Sequence, residues 1–423
     1  MSKRRCNDDK RRSAEIILVD PAARVPKAKK HADKVDPETR AELRLSQALV
    51  AGASPDLPPI SQLGFETALD AMALNTKLAL ASDIDCFVDW CLEHKRTAFP
   101  ADPETIVLYL DARSRMKAKP STLARRIASI SSAHTMLGLD PEGPQSRMVK
   151  NKLKALRRKK GGGTRQAEAI RFGEELSSET SPITIAGLLS FCDDTLTGLR
   201  DAALLSTGYD AGLRVSELCA ICVEHLAPQQ DGSGELFIPF SKTDQEGEGA
   251  YAWLSPDTMR RIGLWRKAAA IDRGPVFRRV HVTRRKSRGA IAANSPDAVL
   301  GNKHNSARRL DQQSGKPGIA VYTPGSEALT RHGVNGIYKR VIENAWAAGV
   351  FDVPGHDITA FLKRISTHSL RVGLTQDLIA GGQDGVAIAQ ALRWTSPSTA
   401  LRYGARLKSR SGATAKALGR VRS

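Results

Sequence analysis

The stretch that most constrains the fold of this chain lies near its C-terminal end, at residues 367–403, and reads THSLRVGLTQDLIAGGQDGVAIAQALRWTSPSTALRY. Within it, His368 and Arg371 form an H-x-x-R pattern. On a helix this spacing puts the imidazole and the guanidinium on one face, one turn apart, so that both can bind the same small anion. The glycine pair 381–382 predicts the end of that helix, because glycine accepts the left-handed conformation of a helix C-terminus. Apolar periodicity predicts a second helix over residues 386–392.

A third helix is predicted over residues 399–406. It follows Ser396, a favourable N-cap residue, and Pro397, which suits the first helical position. This helix carries Tyr403, with Arg402 directly before it. The pattern therefore places a phenol among cations.

This succession of motifs resembles the tyrosine recombinase (phage integrase) family, and in particular its Cre-like members. The family motif is an H-x-x-R, then a Gly-Trp or Gly-His step, and then a tyrosine; the step here is Arg393-Trp394, so an arginine stands at the glycine position. A second box, YDAGLRVSEL at residues 209–218, resembles the family's T-G-x-R-x-x-E-L, with Arg214 and Glu217 at its marked positions. The resemblance covers the second half of the chain well and the helical segment before it loosely.

Charge and length agree with this family but do not select it. A chain of 423 residues is long enough for two or three domains, and its net charge of +19 predicts a polyanionic partner, either nucleic acid or an anionic membrane. The chain has no run of eighteen apolar residues, and its first residues lack the apolar core of a signal peptide. Nucleic acid is therefore the expected partner, with no membrane. The resemblance makes it double-stranded DNA, in the cytoplasm (nucleoid) of a prokaryotic or phage-infected cell.

Cysteine usage predicts no metal site. Cys219 and Cys222 form a C-x-x-C, but no second such pair and no histidine pair at zinc spacing accompanies it. These cysteines are therefore expected to be buried thiols in a reducing cytoplasm, and a metal-binding or redox role for the C-x-x-C is the alternative. We expect no cofactor.

The predicted fold class is mainly α: an N-terminal helical core-binding domain, followed by a mixed α+β catalytic domain with a small antiparallel sheet. Residues 1–60 form a basic extension predicted to be disordered, whose charges either attract DNA nonspecifically or are simply solvated. Apolar residues at helical spacing predict the helical core-binding domain over residues 61–160. Residues 161–181 begin with three glycines and are predicted to be a flexible linker. The catalytic domain takes residues 182–423.

Two departures from a compact catalytic domain are visible in the sequence. Residues 281–323 are rich in Gly, Ser, Lys and Arg and are predicted to be a basic insertion. It is either a DNA-facing loop or extra hairpin, or an unstructured surface loop. A tail helix is predicted at about residues 413–421, and the resemblance implies that it docks on a neighbouring protomer.

The resemblance assigns catalytic roles to residues of the motifs. Tyr403 would attack the scissile phosphate to form a 3′-phosphotyrosyl link and free a 5′-hydroxyl, which conserves the bond energy so that rejoining needs no ATP. Arg214 and Arg371 would bind the nonbridging oxygens and favour the phenolate. His368 would either accept the tyrosine proton or donate a hydrogen bond to the phosphate.

Three further residues complete the predicted catalytic set. Two strands, at residues 235–240 and 250–254, predict a hairpin. The family carries its catalytic lysine on such a hairpin, where Lys242 is the lysine available, and it is our candidate for the general acid. Trp394 would donate its indole N–H and pack, and Glu217 would orient the site.

DNA contacts are assigned more broadly. Arg331, near the start of a helix predicted over residues 327–346, is the candidate for a base contact, because arginine can bind guanine O6 and N7 together. Other basic side chains are expected to follow phosphates. They are Lys117, Lys119, Arg125, Arg126, Arg284, Arg285 and Lys286.

The function predicted from these features is site-specific DNA recombination, with a homodimer on one inverted-repeat site, a homotetramer on two sites and strand exchange through a four-way junction. Two alternatives stay open. A type IB topoisomerase would use the same residue types as a monomer, and a noncatalytic sequence-specific DNA-binding protein would retain the pocket without the chemistry.

Overall fold

The computed structural model of the chain describes residues 36–57, 61–160, 166–173, 183–241, 248–285 and 319–404. The chain divides into two units, Met1–Thr164 and Arg165–Ser423. Both are mainly α, and the strands all lie in the second unit as far as it is described, which is the predicted fold class. Lys242, Lys286 and the predicted tail helix at 413–421 lie outside the described residues.

The first unit is a helical bundle. Its helices are α1 (Pro37–Gly52), α2 (Gln62–Asp70), α3 (Leu74–Glu93), α4 (Pro103–Arg115), α5 (Pro120–Met136), α6 (Glu142–Gln145) and α7 (Arg147–Lys160). Local sequence explains where several begin: Asp36 and Asp102 accept backbone N–H bonds at the starts of α1 and α4, and proline follows each. Ile84, Phe87 and Tyr109 are fully buried in the bundle core.

The prediction of disorder over residues 1–60 is wrong for α1. Leu45 and Leu49 lie on one face of this helix and are buried in the bundle. The Lys77 side chain on α3, only 3% exposed, donates to Glu38 and Glu42 on α1, each at 2.6 Å. The charged composition of residues 1–60 indicated a solvated tail. Glu38 and Glu42 instead bind the buried Lys77, which lies more than thirty residues away in sequence, and local sequence patterns do not reveal such a contact.

The second unit contains nine described helices around two small antiparallel sheets. The helices are α8 (Ile185–Phe191), α9 (Leu196–Asp210), α10 (Val215–Cys219), α11 (Pro256–Ala268), α12 (Arg331–Ala347), α13 (Ile358–Leu362), α14 (Ser369–Ala380), α15 (Gly385–Ala391) and α16 (Ser398–Tyr403). The predicted long helix at 327–346 thus begins at Arg331, because Glu327 and Ala328 belong to a strand. Trp265, Phe277 and Tyr338 are fully buried in the core of this unit.

The strands pair as two separate sheets. In the first, β1 (Leu226–Pro228), β2 (Gly234–Ile238) and β3 (Ala250–Leu254) lie in that order, and the β2–β3 pairing confirms the predicted hairpin strands. In the second, β4 (Arg278–Arg285) pairs with β5 (Ile319–Ala328). The ends of the predicted insertion therefore form a two-stranded ribbon, and residues 286–318 between the strands lie outside the described part of the chain.

The prediction of a flexible linker over residues 161–181 is wrong for residues 166–173. Ile170 is fully buried, and its N–H donates to the carbonyl oxygen of Ser369 at 3.1 Å. Arg171 Nε donates at 2.7 Å to Asp377 on α14, which also accepts a hydrogen bond from Tyr209. Glycine and charge around this stretch favoured a linker, but its ordering depends on partners about two hundred residues further along the chain.

Among the described helices, none is long and apolar enough to cross a bilayer.

Candidate active site

The hydroxyl of Tyr403 lies against the imidazole of His368. Tyr403 ends α16, and His368 is the N-cap of α14. The His368 Nε2 atom is 2.5 Å from the Tyr403 hydroxyl oxygen. The ring of Trp394 stacks on Tyr403, with 5.2 Å between ring centroids and 15° between ring planes. Three segments of one chain therefore hold the phenol in place.

Arg371 lies beneath this group and is fully buried. Its Nη1 donates at 2.5 Å to the carbonyl oxygen of Gly212 and its Nη2 donates to that of Leu392, while its guanidinium carbon is 5.3 Å from the centre of the Trp394 ring. Its Nε has no hydrogen-bond partner among the described residues. The two carbonyl groups fix the guanidinium, and the Nε–H remains as a donor.

Arg214 and Glu217 form a second half of the site at the start of α10. Glu217 accepts hydrogen bonds from the backbone N–H of Arg214 at 2.9 Å and from its Nη1 at 2.8 Å. Ser241 accepts a bond from Arg214 Nη1 at 2.9 Å and donates to Glu217 at 3.0 Å. Ser241 directly precedes the candidate Lys242 in sequence, and Lys242 itself lies outside the described residues.

Arg393 belongs to the same cluster, although no catalytic role was predicted for it from the sequence. Its Nη2 donates to the carbonyl oxygen of Ala211 at 3.0 Å and lies 3.4 Å from Glu217 Oε2, with the side chain 7% exposed. Its backbone has φ = 54°, in the left-handed region that favours glycine. The signal was present as an arginine at the family's glycine position, but the spacing of motifs does not indicate where such a side chain points.

The protonation states follow from burial and from the nearby arginines. Burial, and then the positive charges of Arg371 and Arg214, lower the pKa of His368 to about 4, so its imidazole is neutral at pH 7. Burial also raises the pKa of Tyr403 above its ordinary value and outweighs the opposing effect of the arginines. Arg371 and Arg214 do favour the phenolate, as predicted, but in the free protein burial has the larger effect on the pKa of Tyr403. A protonated phenol therefore faces a neutral imidazole.

Glu217 and Arg371 both stay ionised at pH 7. Burial alone would raise the pKa of Glu217, but the hydrogen bonds from Arg214 and the charges of Arg393 and Arg214 lower it. Burial and the nearby Arg214 lower the pKa of Arg371 to about 10, which still leaves it charged at pH 7. The cluster thus holds three guanidiniums around one carboxylate, with an excess of positive charge suited to a phosphate.

The residues predicted to contact DNA lie in different surroundings. Arg331, Lys117, Lys119 and Arg284 are exposed. By contrast, Arg125 and Arg126 both face the buried Asp83, at 2.6 and 3.6 Å. These two arginines join α5 to α3, which is a structural use of their charge. Arg285 lies in β4.

The described residues offer no group of three or more His, Cys, Asp and Glu side chains that could hold a metal ion. Cys219 and Cys222 are free thiols, and burial raises the pKa of Cys219 to about 11. This protonation state opposes metal binding or nucleophilic work by that thiol.

Comparison with known proteins places this site in a family. No family model matches the chain. It is 34% identical over 247 residues to the integrase/recombinase xerD homolog of Selenomonas ruminantium, which covers 56% of this chain and 69% of that protein. It is 24% identical over 352 residues to the recombinase cre of Escherichia phage P1, over 82% of this chain and 89% of that protein.

Among solved structures, the XerH site-specific recombinase bound to difH substrate aligns over 89% of this chain and 97% of its own, with 12% identity and a TM-score of 0.49. The similarity to the Selenomonas protein, at 34% identity, extends over more than two thirds of that relative. The protein therefore belongs to the tyrosine recombinase family.

Proposed function

We propose that the protein is a site-specific DNA recombinase that cuts and rejoins DNA through a 3′-phosphotyrosyl intermediate. The observation that carries this proposal is the 2.5 Å approach of His368 Nε2 to the Tyr403 hydroxyl. It pairs a nucleophile with a neutral base, next to arginines that can bind the anion under attack.

In the proposed chemical step, one phosphate ester bond forms as another breaks. The Tyr403 oxygen attacks the scissile phosphorus and its proton passes to His368 Nε2, while the bond from phosphorus to the 5′-oxygen breaks. That oxygen leaves as a hydroxyl after receiving a proton, for which Lys242 is the candidate donor. One phosphate ester replaces another, so the reverse attack by a 5′-hydroxyl rejoins DNA without ATP.

Charge stabilisation is assigned to the buried arginines. The Arg214 side chain is 19% exposed, so its guanidinium can donate to a nonbridging oxygen while it remains ion-paired with the buried Glu217. Arg371 is more enclosed, and its unpartnered Nε–H is the donor through which it would act. Trp394 supports both Arg371 and Tyr403, which is a positioning role.

DNA recognition is proposed to involve exposed basic residues of both units. Arg331 would contact a base edge from the start of α12, and Lys117 and Lys119 would contact phosphates. Arg125 and Arg126 would contribute less, because Asp83 already pairs with them.

The proposed assembly follows the family. A homodimer would bind one inverted-repeat site and a homotetramer would pair two sites, with strand exchange in two steps through a four-way junction. The similarity to the recombinase cre over most of both chains supports this proposal.

The test is covalent trapping. Incubation with genomic DNA followed by denaturation and sequencing of protein-linked fragments is expected to recover one site class with the native protein and none with Tyr403→Phe. Tyr251→Phe, at an exposed tyrosine on β3, is the matched control and should behave as the native protein does. The trapped site, placed in a nicked suicide substrate, should then accumulate the adduct.

Two outcomes would overturn the proposal. Sequence-specific binding with no adduct on the suicide substrate would indicate a noncatalytic DNA-binding protein. Relaxation of supercoiled DNA by a monomer, with no recombinant products from two trapped sites, would indicate a topoisomerase.

A further inference from the structure

The β4–β5 ribbon extends away from the core of the second unit. Val280, 9% exposed, is the last buried residue of β4, and all four residues from His281 to Arg284 are exposed. On the partner strand Val321 and Thr323 are exposed as well, and Tyr322 is half-buried. The pairing nevertheless continues regularly to Arg285 opposite Ile319. The ribbon is thus an ordered element whose two faces are largely open to solvent.

Its charge is one-sided. β4 has the sequence RRVHVTRR, with no acidic residue, and β5 contains Glu327 as its one acidic residue. Arg279 and Arg284 are exposed and form no ion pair among the described residues. Like charges held close together on a narrow element repel one another, so this arrangement favours a polyanionic partner.

The ribbon begins where the second unit would meet DNA. Two residues separate the end of β5 from Arg331, the first residue of α12 and our candidate for a base contact. Between them, the buried Leu329 donates its N–H to the carbonyl oxygen of Phe277 at 2.9 Å, which fastens the base of the ribbon to the start of the helix. A duplex seated on the N-terminus of α12 would therefore continue past the ribbon.

The dimensions fit a groove of the duplex. Seven residue steps from Arg278 to Arg285 span about 23 Å at about 3.3 Å per residue, which is about seven base pairs at 3.4 Å each. A two-stranded ribbon fits the major groove. Arg279 lies at the register shift near the base of the ribbon, and Arg284 lies five residues further along β4. The two are about 16 Å apart along the strand and could contact phosphates at different positions on the duplex.

We propose that the β4–β5 ribbon is a second DNA-binding element, which lies along the duplex beside the contacts of α12 and binds phosphates through Arg279 and Arg284. This inference rests on the proposed function in taking duplex DNA as the ligand and in placing that duplex at the start of α12. The exposed Val282 and Val321 would suit a protein partner, but Arg279 and Arg284 have no acidic partner in the described part of the chain and favour the polyanion.

The test compares two charge-matched variants of the full-length protein. Arg279→Gln with Arg284→Gln removes two ribbon charges, and Arg260→Gln with Lys267→Gln removes two exposed charges from α11. Affinity for a duplex of random sequence is measured against salt concentration. The slope of log K against log salt is expected to fall by about two in the ribbon variant, about 0.9 per phosphate contact, and to stay near the native value in the control.

Footprinting on the trapped site gives a second readout. The ribbon variant is expected to lose protection over about seven base pairs at one edge of the footprint.

An equal change of slope in both variants, or an unchanged footprint, would overturn the proposal. So would an unchanged slope with lost cooperativity between protomers, which would assign the ribbon to a second copy of the chain. The salt-dependence measurement uses DNA of random sequence and does not depend on strand cleavage. Failure of the native protein to form an adduct would therefore count against the proposed function and leave the salt dependence interpretable.

Discussion

His368 Nε2 and the Tyr403 hydroxyl oxygen are 2.5 Å apart within one chain. These residues are 35 positions apart in the sequence and are separated by three helices. They meet because α14 begins just after His368 and α16 ends at Tyr403. Each chain can therefore bring its own nucleophile and its own proton acceptor to a phosphate.

The first prediction concerns the pH dependence of cleavage. Because the pKa of His368 is lowered to about 4, its imidazole is neutral and can accept a proton throughout the range from pH 8 down to about 5. The second-order rate constant for adduct formation reports groups of the free protein. It should therefore show no step near pH 6.5, the ordinary histidine value, and should fall only as the pH approaches 4.

His368→Gln should slow cleavage by about 10²-fold at every pH in that range, since it removes the acceptor but can still donate a hydrogen bond. Measurements of the second-order rate constant with subsaturating suicide substrate would check this. A native profile with a transition near pH 6.5, absent from His368→Gln, would show that the imidazole titrates normally and that its enclosure does not govern the reaction.

The second prediction concerns Arg393, which we assign a positioning role through Glu217. Arg393→Gly would relieve the positive φ but remove the contact with the carboxylate, 2% exposed at its side chain. We expect stability to change by no more than about 1 kcal/mol, because the two effects oppose each other. The rate of cleavage at saturating DNA should fall about tenfold. Without Arg393, the Glu217 carboxylate can shift, and the Arg214 guanidinium that it binds is then displaced from the phosphate.

A double-mutant cycle separates this role from a general loss of structure. If Arg393 acts through Glu217, then Arg393→Gly should add little to the defect of Glu217→Gln. Arg393→Ala keeps the strained backbone and loses the contact, so it should be less stable than Arg393→Gly and equally slow. Additive defects across the cycle would contradict the assignment.

The sequence predicted most of this site because its chemistry is carried by motifs. The H-x-x-R, the Trp394 step and Tyr403 lie within one short stretch, and the structure brings them into mutual contact. Arg214 and Glu217 form their predicted pair because one helical turn separates them. Arg393 was missed because neither helical periodicity nor motif spacing indicates a positive φ or the direction of a side chain that follows it.

Two elements could not be predicted because their partners are far away in sequence. Helix α1 has the composition of a solvated tail, and its apolar face becomes informative only against α3. Residues 166–173 have the composition of a linker, but they are ordered by the hydrogen bond from the Ile170 N–H to the Ser369 carbonyl oxygen and by the ion pair of Arg171 with Asp377. In both cases local composition argued for disorder, while burial and ion pairs formed at long range supplied the stability.

The third prediction tests the anchor of residues 166–173. Asp377 accepts hydrogen bonds from Arg171 Nε at 2.7 Å, from the Phe172 N–H at 2.8 Å and from the Tyr209 hydroxyl at 2.5 Å. Asp377→Asn removes the negative charge that faces the buried Arg171 and should destabilise the protein by about 3 kcal/mol in urea unfolding. Tyr209→Phe removes one hydrogen bond and should cost about 1 kcal/mol. Equal losses from the two changes would mean that the charge is not what holds this segment.

The fourth prediction tests the attachment of α1. Burial alone would lower the pKa of Lys77, but its hydrogen bonds to Glu38 and Glu42 raise it, so the ammonium depends on both carboxylates. Glu38→Gln with Glu42→Gln should destabilise the first unit by about 2 kcal/mol, discounted for the partial exposure of the glutamates. Adding Lys77→Met should recover most of that loss in urea unfolding, because an apolar side chain needs no counter-charge. No recovery would show that the position requires an ammonium for another reason.

The fifth prediction links residues 166–173 to the chemistry. Gly373 lies on α14 two positions after Arg371, and a Cβ added there would sit 1.7 Å from the Ile170 carbonyl oxygen. Gly373→Ala must therefore displace residues 166–173 or shift the helix that carries Arg371. We expect adduct formation at least about tenfold slower at saturating DNA, because small displacements of catalytic groups are costly.

Gly336→Ala on α12 is the matched control, since a Cβ there meets no atom within 4 Å. It makes the same change inside a helix and should stabilise the protein by about 0.5–1 kcal/mol, with cleavage unchanged. If Gly373→Ala also cleaved at the native rate, the close approach of Ile170 to α14 would have no part in placing Arg371. Residues 166–173 would then serve stability alone. A slow Gly373→Ala variant that still binds DNA normally would instead show that the path of this segment fixes the position of a catalytic arginine.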